Sequence, residues 1–337
     1  MHSRIMTNIK EAKIVFCAVF LLAALSQCLC SNGDRSPFYQ KCVQSCSISN
    51  CTEDGSFTIE TSIQQDFWSK ALLWSCKDEC KYLCMWRTVE AFKERDYEIP
   101  KFHGKWPFKR WCGVQEPAAA FASVLNLLAH VYMHSKIIYK FPTKSLPLVL
   151  FWHVFTGVCV NAWTWSTIFH TRDKPFTEFM DYAGALSMVM ALMVAAIVRV
   201  FHKKRKVVAI ALLFMLVYYI NHVLYLYTGM IDYDYNILVN CVFGMTGSLI
   251  WVLWSMVQYL SGRRYVWSMF LFTMLSGAAL SLELFDFPPQ YEAWDAHALW
   301  HLSTAPLPLL FYRFVIDDLN QLQADALPKV KSDLKST

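Results

Sequence analysis

Charge is what this 337-residue sequence has least of: 17% of its residues are Asp, Glu, Lys or Arg, against roughly 25% in a soluble domain. With 55% hydrophobic residues and a mean hydropathy of +0.29, that deficit argues against a soluble protein. The same apolar abundance excludes a disordered chain, which cannot bury enough surface to fold. There is no broad basic patch with interleaved aromatics, and the net charge is only +5, so no nucleic-acid partner is expected. Internal repeats and low-complexity stretches are absent, as are the paired broken spans of a transporter. Aromatics are plentiful: 13 Trp and 24 Phe suit a membrane protein with aromatic belts at its interfaces.

The amino end has the form of a processing signal. Arg4, Lys10 and Lys13 precede an apolar run from Ile14 to Leu25, and small residues lead to a cleavage site after Cys30. A basic head, short apolar core and small exit residues describe a secretory signal peptide over residues 1–30. Twelve apolar residues fall short of the ~20 that a membrane span needs. Residues 31–116 then turn polar and read as a small luminal domain. Its cysteines form two clusters, Cys42, Cys46 and Cys51, then Cys76, Cys80 and Cys84. In an oxidising lumen these six read as three disulfides, and the sequence leaves their connectivity open. Zinc binding by these thiols is the rival reading. Asn50-Cys51-Thr52 is a glycosylation sequon, although a cysteine at its middle position weakens it. Cys112 is left over, and Cys159 and Cys241 fall within spans, where a thiol behaves as a small apolar group.

Seven apolar spans are predicted at 118–138, 146–169, 178–200, 207–228, 236–259, 265–285 and 294–315. The expected fold is therefore an all-α membrane protein, a seven-transmembrane helix bundle over 117–316 with a disulfide-rich luminal domain and a cytosolic tail at 317–337. The first, third and fifth loops hold ten cations: Lys136, Lys140, Lys144, Arg199, Lys203, Lys204, Arg205, Lys206, Arg263 and Arg264. The intervening loops hold Arg172 and Lys174 and are rich in acids, among them Asp232, Asp234, Asp286 and Glu292. By the positive-inside rule the odd loops are cytosolic, the amino end luminal and the carboxyl end cytosolic.

Ionisable residues within spans are costly, so each is a candidate site. Span two starts on the cytosolic side, and its His170 lies some 23 residues on, roughly 35 Å at 1.5 Å per residue. Ser166 is one turn deeper on the same face. Asp181 falls in the first turn of span three, and His297 and His301 lie in the first two turns of span seven. All five sit at a similar luminal depth. Three neutral imidazoles and a solvent molecule make an open catalytic zinc site. Zinc brings the pKa of its water towards ~7. Asp181 is placed to orient that water and take its proton, and Ser166 to hydrogen-bond a ligand, the water or an oxyanion. A second i,i+4 pair, His130 and His134, lies with His153 in the cytosolic half. His222, beside Asn221, is the substitute ligand if one of the three is misplaced.

Several stretches carry a family resemblance. They are Phe102-His-Gly-Lys-Trp-Pro-Phe108, Asn161-Ala-Trp-Thr-Trp-Ser-Thr-Ile-Phe-His-Thr-Arg-Asp173, Met180-Asp-Tyr182, Leu284-Phe-Asp-Phe-Pro-Pro289 and Asp295-Ala-His-Ala-Leu-Trp-His-Leu-Ser303, with the six luminal cysteines. The chain resembles the GPI-anchor lipid-remodelling factors of the Per-like family. These belong to a superfamily of seven-span hydrolases with the alkaline ceramidases and adiponectin receptors. Its shared pattern, Ser-x-x-x-His, an Asp eleven residues on and a final His-x-x-x-His, falls on Ser166, His170, Asp181, His297 and His301. The resemblance implies a zinc-dependent Golgi membrane enzyme of phospholipase A2 type. Its substrate would be the lipid of GPI-anchored proteins, from which it removes the unsaturated sn-2 acyl chain. The end, Lys335-Ser-Thr337, lacks a dilysine pair, so no retention signal favours the endoplasmic reticulum. Two rival readings are a seven-transmembrane receptor, which has no need of three histidines and an aspartate at one depth, and a non-catalytic chaperone or cargo receptor for GPI-anchored proteins.

Overall fold

The computed structural model describes residues 31–143, 147–229 and 231–333; the expected signal peptide, 1–30, lies outside them. Among the described residues there are no strands, only helices and four isolated bridges.

An amino-terminal module holds α1 (Pro37–Asn50), α2 (Ile59–Gln64), α3 (Phe67–Ala71) and α4 (Cys76–Lys93). Cysteines spaced by four share a helix face, and the two clusters meet as an antiparallel ladder: Cys42–Cys84, Cys46–Cys80 and Cys51–Cys76. That settles the connectivity. The sulfurs of Cys51, Cys76 and Cys80 crowd together because two disulfides stack there, so no thiolate remains to bind zinc. Ser75 and Asp78 form a capping box at the start of α4, satisfying backbone donors that a helix end leaves orphaned. Residues 94–116 continue as a strap towards the bundle.

The bundle comprises α5 (Pro117–Lys140), α6 (Pro147–Thr171), α7 (Pro175–Phe201), α8 (Arg205–Tyr227), α9 (Tyr233–Leu260), a single turn at Arg264–Val266, α10 (Trp267–Phe285), α11 (Ala296–Thr304) and α12 (Leu307–Asp333). Proline opens α5, α6 and α7, where its missing N–H costs nothing. Five helices, α6 to α10, are long and apolar enough to cross a membrane. Their outward residues are apolar: on α8, Ile210, Leu213, Phe214, Val217 and Leu224 are all exposed. Such a surface suits lipid rather than water, and the chain is a multi-pass membrane protein.

The two remaining expected spans differ from the other five. The first, α5, is continuous, but its inner face carries the buried polar residues Ser123, Asn126 and His130, which dilute its hydropathy. The seventh is broken. Pro306 separates α11 from α12, because proline donates no ladder bond and its ring clashes with the preceding turn. The second piece continues to Asp333, through residues expected as a tail.

The end of the bundle next to the module is here called the near end. The far end holds the largest apolar core, built around Trp152, Phe155, Trp251, Phe311 and Phe314. Within it, Arg199 makes a bidentate ion pair with Asp318 at 2.6 and 2.7 Å, and Tyr265 donates to the same carboxylate at 2.6 Å. Small residues let the middle helices approach: a Cβ at Gly184 would lie 3.2 Å from the Ala162 backbone on α6. Such close packing is how membrane helices associate without a hydrophobic drive between them. It brings the ends of α6 and α7 together at the near end.

Candidate metal centre

Three helix termini build the site. His170 is in the last turn of α6, Asp181 in the second turn of α7, and His297 and His301 one turn apart at the start of α11. Asp295 caps α11 by accepting from Ala298 N at 2.8 Å, which fixes where that helix begins and so where both histidines point. The three Nε2 atoms converge: His297 to His170 is 3.3 Å, and His301 to His297 is 2.8 Å. His170 and His301 are buried, while His297 retains 29% side-chain exposure, so the cluster opens beside His297.

The other ring nitrogens explain the arrangement. His170 Nδ1 donates to Glu116 Oε2 at 2.7 Å, and His297 Nδ1 donates to Glu283 Oε2 at 2.7 Å. A carboxylate on Nδ1 fixes the tautomer and leaves Nε2 as a lone pair. Two such lone pairs facing each other at 3.3 Å repel unless a cation lies between them. Tetrahedral ligands ~2.0–2.1 Å from a zinc ion stand about 3.3 Å apart, and three imidazoles are the donor set that such a site takes. The residues fit a zinc ion. His301 is held differently: its Nδ1 is buried without a partner, and Asn126 binds its backbone carbonyl at 2.8 Å.

A chain of charges leads outward from His170. Glu116 Oε1 accepts from Lys105 Nζ at 2.7 Å, and Lys105 also meets Asp173 at 2.8 Å. Burial works against the Lys105 ammonium, but the Glu116 and Asp173 carboxylates outweigh it and hold the group above its ordinary range. Burial likewise works against the Glu116 carboxylate, which Lys105 and then His170 hold well below the usual range. Glu283 is braced by the Tyr233 hydroxyl at 3.0 Å.

Of the five residues predicted from sequence, the three histidines meet directly. Asp181 is half-buried, within electrostatic reach of His170, His297 and Lys105, and has no hydrogen-bonding partner among the described residues. Ser166 is buried and bonds Ser123 Oγ at 3.1 Å. Since Ser123 donates to the Ala119 carbonyl at 2.9 Å, Ser166 is the donor in that pair. His222 pairs with Asn236 at 3.3 Å, away from the cluster. Asn50 is half-buried at the end of α1, its amide donating to the Cys46 carbonyl at 3.1 Å.

Sequence reasoning missed Glu116, Glu283, Lys105 and Ser123. Glu283 was detectable as a lone acid inside a predicted span, by the rule that singled out the histidines. Glu116 fell on a domain boundary and Lys105 in a loop, and no periodicity marks either.

A family model described as the Per1-like family matches residues 67–319. Among curated relatives, the Drosophila melanogaster "Post-GPI attachment to proteins factor 3" is 42% identical over 306 residues, covering 88% of this chain and 92% of that one. The Xenopus laevis "GPI-specific phospholipase A2-like PGAP3" is 39% identical over 320 residues, 94% of this chain and 99% of its own. The Homo sapiens protein of that name is 37% identical over 319 residues, 94% and 98% of the two chains. No solved structure matches.

Proposed function

The chain belongs to the Per1-like family, and from that membership and its converging imidazoles we propose that it remodels GPI anchors. The reaction is phospholipase A2-type hydrolysis, which frees the unsaturated sn-2 fatty acid from the inositol phospholipid of GPI-anchored proteins. The observation that carries this reading is the meeting of three Nε2 atoms, two of them on imidazoles fixed by carboxylates.

His170, His297 and His301 would hold a zinc ion, which when bound would supply Lewis acidity to an ester carbonyl and lower the pKa of water towards ~7. Asp181 accepts the proton of the attacking water. The water oxygen bonds to the acyl carbon, the bond from that carbon to the sn-2 glycerol oxygen breaks, and the departing oxygen takes up the proton that Asp181 accepted. The products are a free fatty acid and a lyso-anchor. Ser166 orients rather than attacks: its proton goes to Ser123, and no imidazole is left to act as its base. The half-exposed edge at His297 is where the acyl ester enters.

The same reading gives seven crossings, with α5 and the α11–α12 pair joining the five long helices. It places the amino-terminal module in the lumen, the carboxyl end in the cytosol and the protein in the Golgi membrane. The nine loop cations among the described residues, all at the far end, support that orientation, and GPI lipids occupy the luminal leaflet that the near end faces.

The test is metal content and deacylation of a GPI-protein substrate measured on one purified sample. The expected result is about one zinc per chain and release of one fatty acid per anchor. A metal-free protein that deacylates, or a zinc-loaded one that does not, would sink the reading.

A further inference from the structure

The strap leaving the amino-terminal module makes a tight turn at His103–Gly104, and the turn sets the Lys105 side chain against the end of α6. Phe102 N donates to Lys105 O at 2.7 Å and Lys105 N to Phe102 O at 3.0 Å. The two residues between them, His103 and Gly104, have φ of 50° and 82°, the backbone of a type I′ turn. The module holds this turn firmly. Phe102 is buried in its core, His103 N donates to Asp34 at 2.8 Å, and Gly104 N donates to Ser31 at 2.8 Å. Beyond the turn, Trp106 Nε1 donates to Asp286 at 3.0 Å and Lys109 N to the Glu292 carbonyl at 2.9 Å. The strap is thus fixed to the module on one side and to the α10–α11 connection on the other.

Lys105 is the residue this frame presents. Its ammonium lies 4.0 Å from the Phe169 ring centroid and between two carboxylates, Asp173 and Glu116. Glu116 spends one oxygen on Lys105 and the other on His170 Nδ1. We infer that Lys105 is a positioning residue for the metal centre, fixing Glu116 and, through it, the imidazole of His170. The disulfide module is then part of the site's supporting structure and not an appended domain. His297 has its own carboxylate, Glu283, supplied from within the bundle; His170 depends on a lysine from outside it. The inference rests on the zinc reading above.

Partners one step removed from a metal ligand are worth ~10–100-fold in affinity. The experiment is zinc competition against a chelator, on the full chain in nanodiscs, for wild type, Lys105→Met, Glu116→Gln and the double variant. Glu116→Gln is expected to weaken zinc binding by roughly 10–100-fold, and Lys105→Met, one step further out, by about 10-fold, the lower end of that range. In the Glu116→Gln background the same change is expected to add no more than about twofold, because residues acting through one another are not additive. A general structural role would instead cost as much in both backgrounds, and that result overturns the inference, as does wild-type affinity in Lys105→Met. If Lys105→Met does not accumulate as a monodisperse protein, Lys105→Gln and its double variant with Glu116→Gln carry the same comparison. A wild-type chain that binds no zinc refutes the underlying zinc reading; a wild-type chain that binds it beside an unaffected Lys105 variant refutes this inference alone.

Discussion

Two groups of three histidines lie in this bundle, one at each end. At the near end, His170, His297 and His301 turn their Nε2 atoms together while Glu116 and Glu283 hold two of the Nδ1 atoms. At the far end are His130, His134 and His153. His130 Nδ1 pairs with the Tyr312 hydroxyl at 3.1 Å, and His134 Nε2 pairs with His153 Nδ1 at 2.8 Å. No carboxylate touches the far group among the described residues. Both groups contain an i,i+4 pair on one helix, so spacing does not distinguish them. The far group also borders a recess of about 330 Å³ lined by His134, His153 and Phe141, so a neighbouring recess does not by itself mark a metal centre. The difference is the acid on the second nitrogen, which fixes the tautomer and the aim of the first.

The comparison breaks most visibly under alanine. His301→Ala is expected to abolish stoichiometric zinc and deacylation, since a site built for three protein ligands is left with two. His134→Ala is expected to leave both in place. Metal analysis of the two purified variants checks this, and loss of zinc from His134→Ala would erase the distinction drawn here.

Asp181→Asn separates metal from chemistry at the near end. The amide keeps the shape but cannot accept the proton, and positioned acid–base groups contribute ~10²–10⁴-fold. Deacylation should fall by that order with zinc content unchanged. A variant that remodels anchors at the wild-type rate with zinc bound would exclude Asp181 as the proton acceptor.

Glu283→Gln tests the acid itself. It leaves all three imidazoles in place and removes the charge from His297 Nδ1. Zinc affinity should drop by ~10–100-fold, read by chelator competition. An unchanged affinity would mean that His297 is aimed by packing alone.

How much of this was legible in sequence follows from what each element depends on. The helices were readable because lipid demands apolar runs of fixed length: α7 spans 175–201 where 178–200 was expected, and α9 spans 233–260 where 236–259 was expected. The break at Pro306 was written in the residue itself but hidden by the apolar residues around it. The meeting of His170 with His297 and His301 was readable through depth, because topology converts sequence position into height in a membrane. Glu116 and Lys105 were not, because their roles depend on the path of an irregular strap. Nor was the disulfide pairing, since the direction in which α4 packs on α1 is a tertiary fact.

The smallest expected effect belongs to the far end. Tyr312 is fully buried, donates to Thr156 Oγ1 at 2.8 Å and meets His130 Nδ1 at 3.1 Å. Tyr312→Phe keeps the ring, which packs against Phe155 and Phe311, and removes only the hydroxyl. Thr156 loses little, because its own hydroxyl still donates to the Trp152 carbonyl at 2.9 Å. His130 is left with a buried nitrogen lacking its partner, a penalty of ~1–3 kcal/mol. If the far histidines serve only the fold, this cost appears in thermal stability, while zinc affinity and deacylation at the permissive temperature stay at wild-type values. A fall in zinc affinity without a fall in stability would show that the two ends are coupled, and that the far group takes part in the chemistry of the near one.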